Sequence, residues 1–256
     1  MTPIRVHTEV PAYAVALREL PVSAVAAPAA QAEIHVVEGS ARPDGQLAGT
    51  VLVLAGDPPA SAAGIEALRR SGARVVLERR RLRRDLVDDA LAARADRGAA
   101  PPRMLVAECL AGAEQLAAVL RDALGWSREL GGALTQDQSS ADDEAVSALL
   151  AAGPDRIPVL LRATVAPDAR SFVRVRALGE VTTEIVVEEL GSRCSVSTTD
   201  AAGREEAPRR FESVERFTVR RALAALAGED LHDDVADLVA DAALVDHILS
   251  GRSGAA

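Results

Sequence analysis

The sequence predicts an α/β domain built on a parallel sheet, followed by an α+β domain with a mainly antiparallel sheet. Three observations carry this reading. Over roughly the first 125 residues, short apolar strand signals alternate with helical stretches, the pattern of βαβ units with right-handed crossovers. From about residue 155, strands follow one another through short turns, which means antiparallel pairing. The chain then closes on helices, one of which carries a single apolar stripe. The expected division is 1–125 for the first domain, 126–250 for the second and 251–256 for a frayed tail.

In the first domain, strands are expected at 4–8, 22–26, 33–37, 50–55, 74–78 and 103–108. Helices at 12–20, 60–71, 85–95 and 111–124 lie between them. The stretch after Gly72 is typical: Val75-Val76-Leu77 is the short apolar run that a parallel sheet buries on both faces. Loops are read at 40–49 and 96–102, where Pro101-Pro102 stops a helix from continuing. In the second domain, strands are expected at 157–165, 170–178, 181–189 and 193–199. Turns at Pro167-Asp168, Gly179-Glu180 and Gly191-Ser192 join them. Val173 and Val175 alternate with Arg174 and Arg176, as in a sheet with one wet face. Helices follow at 213–226 and 231–249, the second with its stripe through Leu231, Val235, Leu238, Ala242, Val245 and Leu249.

Composition narrows the chemistry. The formal net charge of −9 argues against general nucleic-acid binding, which needs a broadly basic face. No apolar run reaches the roughly 20 residues of a membrane span, and the start lacks the basic-then-apolar layout of a signal peptide. Cys109 and Cys194 are too few and too distant for a disulfide framework or a metal site, so a reducing, cytoplasmic location is expected. The chain contains no lysine, so no side chain here forms a Schiff base or serves as an ammonium acid–base catalyst.

Two segments carry a resemblance. "TVLVLAGDPPASAAGIEALRRSGARVVLER" (50–79) resembles a stretch of the Gfo/Idh/MocA oxidoreductases, the glucose–fructose oxidoreductase and inositol dehydrogenase relatives. In that family a strand ends in a proline-containing turn, a helix follows, and a Gly introduces a strand finishing in Glu-Lys-Pro. Pro58-Pro59, Ile65 and Leu68, Gly72 and Glu78 fall at matching spacing. "GGALTQDQSSADDEAVSALLAAG" (131–153) resembles the family's Gly-Gly-x-Leu segment, which leads to a His-x-x-Asp motif and a helix. The resemblance implies a Rossmann-like first domain, an NAD or NADP cofactor, and dimers formed through the antiparallel sheet of the second domain.

This chain departs from the family pattern at three parts of one site. The strand at 4–8 is followed by "HTEVPAYAVAL", without the glycines that let backbone N–H groups approach a pyrophosphate. Glu-Lys-Pro becomes Glu78-Arg79-Arg80, which replaces a titratable lysine by an arginine that stays charged. The family's histidine falls on Ser140, while its aspartate is kept as Asp143; a serine alone does not replace an imidazole in proton transfer near neutral pH. The expectation is therefore a degenerate, non-catalytic protein with no cofactor, an accessory subunit that pairs with itself or with an active relative. The alternatives are an active NAD(P)-dependent enzyme with an atypical site, and a small-anion sensor. The candidate anion or substrate residues are Glu78, Arg79, Arg80, Ser140 and Asp143, with no catalytic and no metal-binding residue assigned.

Other features have plainer readings. The run Arg79, Arg80, Arg81, Arg83, Arg84 is a solvated helix start, an anion site at a strand's carboxyl end, or a dock for an acidic partner. Ser139-Ser140 with Asp142-Asp143 reads as the N-cap of a helix over 143–152. His232, Asp233, Asp237 and Asp241 read as a solvated helix face, Cys109 as a buried small hydrophobe and Trp126 as packing. His7 and His35 stand on separate strands, and nothing in the sequence makes them a pair.

Overall fold

The structure, a computed structural model, describes residues 2–20, 22–39, 49–57, 62–167, 170–188, 193–230 and 232–250. It forms two units: Met1–Arg80 with Arg210–Val239, and Arg81–Arg209 with Ala240–Ala256. The boundary thus falls inside the arginine run rather than near residue 125, and the first unit is completed by a segment that returns from the far end of the chain. The turns expected at Pro58-Pro59 and Gly191-Ser192, Asp168 of the turn expected at Pro167-Asp168, most of the loop at 40–49, Leu231 and the tail at 251–256 lie outside the described residues.

The first unit is built on a five-stranded parallel sheet. Its strands are β1 (Ile4–Thr8), β2 (Ala24–Ala26), β3 (Ile34–Glu38), β4 (Val51–Ala55) and β5 (Arg74–Leu77), in the order β2-β1-β3-β4-β5. The chain moves one way from β1 to β2 and the other way through β3, β4 and β5, so a topological switch point lies between β1 and β3. One face buries Val6, Ile34, Val36, Val51, Val53 and Val76. Tyr13 and Leu17 of helix α1 (Pro11–Arg18) and Val219, Ala222 and Ala225 of a late helix, α5 (Val214–Ala227), complete that core. Helix α2 (Ala62–Arg70) leads into β5. Helix α5 begins and ends as its sequence directs. The Ser213 hydroxyl accepts the Arg216 N–H at 3.2 Å, and Gly228 closes the helix at φ 78°, a left-handed turn that glycine adopts without penalty.

The second unit holds eight strands: β6 (Met104–Ala111), β7 (Leu134–Ala141), β8 (Ala145–Ala152), β9 (Ile157–Val165), β10 (Phe172–Leu178), β11 (Thr182–Glu188), β12 (Arg193–Asp200) and β13 (Gly203–Glu206). Their order is β13-β12-β11-β10-β6-β9-β8-β7, antiparallel throughout except for β6 beside β9. Helices α3 (Arg84–Asp96) and α4 (Leu116–Gly131), with Val245 and Ile248 of α6 (Asp234–Ser250), cover one face. The alternation of Val173 and Val175, both buried, with half-exposed Arg174 and Arg176 is as the sequence suggests.

Two expectations are corrected. The strand expected at 103–108 is not a sixth parallel strand of the first domain but β6, near the centre of the second sheet. Its strict alternation, with Leu105, Ala107, Cys109 and Ala111 buried and the intervening residues half-exposed, is the period of a one-sided sheet. The helix expected over 143–152 is the strand β8. Asp142 Oδ1 accepts the N–H groups of Glu144 (2.8 Å) and Ala145 (2.7 Å), which turns the chain into a hairpin instead of capping a helix. Val146, Ala148 and Leu150 then point inward while Ser147 and Leu149 stay exposed, a period of two.

Candidate functional site

At the carboxyl ends of β1, β3, β4 and β5 lies a concavity of about 280 Å³, with Val10, Tyr13, Glu38, Asp57, Glu78 and Arg80 in its wall. Ligands of open α/β sheets bind in this position, outside the strand ends at the switch point. Its floor is set by close backbone approach: the Gly39 N–H donates to the Ala55 carbonyl at 2.7 Å, and a Cβ on Gly39 would collide with the Asp57 carbonyl.

Glu78 is the centre of the site. Its side chain is fully buried, and its carboxylate accepts the Tyr13 hydroxyl at 2.6 Å and the Arg80 Nε at 2.5 Å. Arg80 reaches on to Glu215 at 3.1 Å. Burial opposes the Arg80 charge, but Glu78 and then Glu215 outweigh it and raise the guanidinium pKa above its ordinary value. Burial, followed by the Glu78 charge and hydrogen bond, holds the Tyr13 phenol far above the usual range. The four side chains form a continuous chain of donors and acceptors, tied at one end to α1 and at the other to the first turn of α5.

The rest of the arginine run is neutralised in the same way. Arg81 is 1% exposed, 3.5 Å from the Asp122 carboxylate, and its Nε donates to the Ser171 hydroxyl at 3.3 Å. The Arg81 carbonyl accepts the indole N–H of buried Trp126 at 2.7 Å. Arg83 grips Asp85 through two hydrogen bonds, and Arg84 pairs with Asp88 and Glu129. Arg79 is half-buried. Arg80, Arg81, Arg83 and Arg84 thus each face carboxylates of their own unit.

The candidate residues separate. Glu78 and Arg80 touch; Ser140 and Asp143 belong to the second unit, Ser140 exposed on β7 opposite Ser147 and Asp143 exposed in the β7–β8 turn. Tyr13, Glu215, Glu38 and Asp57 were missed by the sequence reading. Tyr13 carried a signal, being the one tyrosine and lying within the first turn after the first strand. The expected solvated face at 232–241 is mixed. His232 Nε2 lies 2.7 Å from Asp237, Asp233 caps the N–H of Ala236, and Asp241 is buried against Arg128 at 3.2 Å. Cys109 is buried, which pushes its thiol pKa up to about 12, as an inert core cysteine requires.

A parallel sheet with a switch-point pocket, followed by a large, mainly antiparallel sheet with one helix-covered face, defines a two-domain fold. It is the fold of Gfo/Idh/MocA-type oxidoreductases. UDP-N-acetylglucosamine 3-dehydrogenase GnnA from Acidithiobacillus ferrooxidans superposes with a TM-score of 0.66 at 13% identity, covering 98% of each chain. An oxidoreductase from Sinorhizobium meliloti gives 0.72 at 11%, covering 99% of this chain and 98% of its own. KijD10, a 3-ketoreductase from Actinomadura kijaniata solved with NADP and TDP-benzene, gives 0.63 at 13% and 98% of each chain. At these identities the likeness is one of fold. No protein-family pattern and no curated protein sequence matches the chain. Among the described residues no helix is long and apolar enough to cross a membrane.

The expectation of no cofactor is corrected by these neighbours. The ketoreductase structures contain NADP, so a nicotinamide dinucleotide is the ligand that the fold implies. The residues of this chain fit its pyrophosphate poorly. After β1 the backbone runs through Thr8-Glu9-Val10-Pro11, and the N–H groups of Tyr13 and Ala14 both turn back to the Val10 carbonyl. Strand β2 runs out into Ala27-Pro28, with neither an acid for a ribose hydroxyl nor an arginine for a 2′-phosphate. The strand ends offer three carboxylates instead: Glu38, Asp57 and Glu78.

Proposed function

We propose that this chain is a non-catalytic protein on the oxidoreductase fold, an accessory subunit in the cytoplasm that assembles with itself or with an active relative. The observation that carries the reading is the continuous Tyr13–Glu78–Arg80–Glu215 chain. At the strand end where the family resemblance would put a proton-transferring lysine, Glu78 and Arg80 are each held by internal partners. A phenol raised this far and an arginine are both poor proton donors at neutral pH. Assembly through the open face of the second sheet is supported by Leu149 and Leu160, exposed side by side in register.

Binding and turnover are tested separately. The purified chain is given NADPH or NADH together with UDP- or TDP-linked keto sugars. Dinucleotide binding is followed by nicotinamide fluorescence and turnover by loss of its absorbance. The expected result is no turnover, whatever dinucleotide is bound. Turnover that disappears in Tyr13→Phe or Glu78→Gln would overturn the reading. It would favour the active alternative, an NAD(P)-dependent enzyme with an atypical site, on whose side the NADP complexes of the neighbours stand. Assembly is read by size-exclusion chromatography, where Leu160→Glu is expected to shift an oligomer to monomer.

A further inference from the structure

Unit 1 holds a pair of histidines that the pocket does not use. His7 on β1 and His35 on β3 occupy facing register positions of a parallel pair, so both imidazoles stand on the same face of the sheet. Their ring centroids are 6.1 Å apart, with the rings at 61° to one another. Both side chains are half-buried. Only the order of the strands brings positions 7 and 35 together.

The His7 ring is anchored on a backbone carbonyl, its Nδ1 lying 3.3 Å from the Ala27 oxygen. A carbonyl only accepts, so the neutral His7 imidazole spends its single N–H there and keeps a lone pair on Nε2. This is how ligating histidines are oriented at metal sites, with the outer nitrogen held by a carbonyl or carboxylate. The charges next along the same strands cancel, since Arg5 and Glu33 pair at 3.4 Å. With metal–imidazole bonds of about 2.0–2.1 Å, an ion in line between two rings spans centroids roughly 6.4 Å apart and a tetrahedral one only about 5 Å, so at the observed 6.1 Å the two imidazoles would bind on nearly opposite sides of the ion.

We propose that His7 and His35 form a two-imidazole site for a divalent first-row transition ion, with water completing its coordination. Imidazole nitrogen suits copper, nickel and zinc, and copper(II) binds most tightly in that series. The ion would clip β1 to β3, the two strands that flank the switch point. The inference is independent of whether the chain turns over a substrate.

The test uses the full chain without an affinity tag, titrated calorimetrically with Cu²⁺, Ni²⁺ and Zn²⁺. One saturable ion per chain is expected, weakened more than about tenfold by His7→Ala and by His35→Ala and unchanged by His232→Ala. Bound Cu²⁺ is expected to show nitrogen hyperfine coupling in its electron paramagnetic resonance spectrum. Bound Ni²⁺ is expected to raise the melting temperature of the parent but not of the double variant. If the alanine variants fail to fold by circular dichroism, His7→Gln and His35→Gln replace them. Absence of saturable binding, its persistence in the double variant, or its loss in His232→Ala would each overturn the proposal.

Discussion

Tyr13 is the chain's one tyrosine, which makes its hydroxyl a reporter for the buried contact with Glu78. Burial and then the Glu78 charge raise its pKa, so the folded chain keeps a proton that the unfolded chain would lose near pH 10. The stabilisation is therefore complete below about pH 10 and is lost as pH climbs beyond it. Tyrosinate absorbance is expected to stay flat through pH 10 and to rise only together with loss of far-ultraviolet dichroism; an independent titration near pH 10 would contradict the contact. Tyr13→Phe leaves a buried carboxylate one donor short and should cost about 1–3 kcal/mol in urea denaturation. Glu78 and Arg80 were legible as a charged strand end. Their partner Tyr13 was not, because it stands 65 positions away and only the folded sheet joins them.

Single elements show where local pattern suffices and where it misleads. Strand β5 and helix α5 are where the sequence puts them, since a β-branched run and a Ser cap with a closing Gly are local signals. The segment 143–152 is ambiguous locally: it is rich in alanine and leucine, which favour helix, and only pairing with β7 and β9 decides for a strand. Asp142→Ala removes both turn hydrogen bonds and should destabilise the second unit by about 1 kcal/mol, measured by chemical denaturation. Arg97, just past the end of α3, pairs with Asp200 of β12 and, with the Ala202 N–H, lowers the Asp200 pKa. A lowered carboxyl pKa stabilises above the unfolded value of about 3.9 and ceases to do so as pH falls through the folded one. Arg97→Ala should therefore be less stable than the parent at pH 7, and the gap should close below about pH 4.

For the whole molecule, the two-sheet architecture was readable because parallel and antiparallel segments differ in loop length and in burial period. The allocation of strands was not. Strand β6 follows the five parallel strands, yet it pairs with β10 and β9, residues that come later in the chain and leave no trace in its own sequence. The division near 125 consequently cuts α4, whose Leu120, Leu124 and Trp126 are buried in one core of the second unit. Trp126, the single tryptophan, reports on that core. Leu120→Ala is expected to lower the stability read from its fluorescence by about 2–5 kcal/mol.

One consequence concerns birth rather than rest. Because α5 supplies Val219, Ala222 and Ala225 to the same core as the opening strands, a nascent chain leaving the ribosome carries an unfinished first sheet while some 130 further residues are made. Its apolar face must wait, shielded by chaperones or by transient collapse, until translation has nearly ended. A premature stop before residue 214 would leave that face covered by α1 alone.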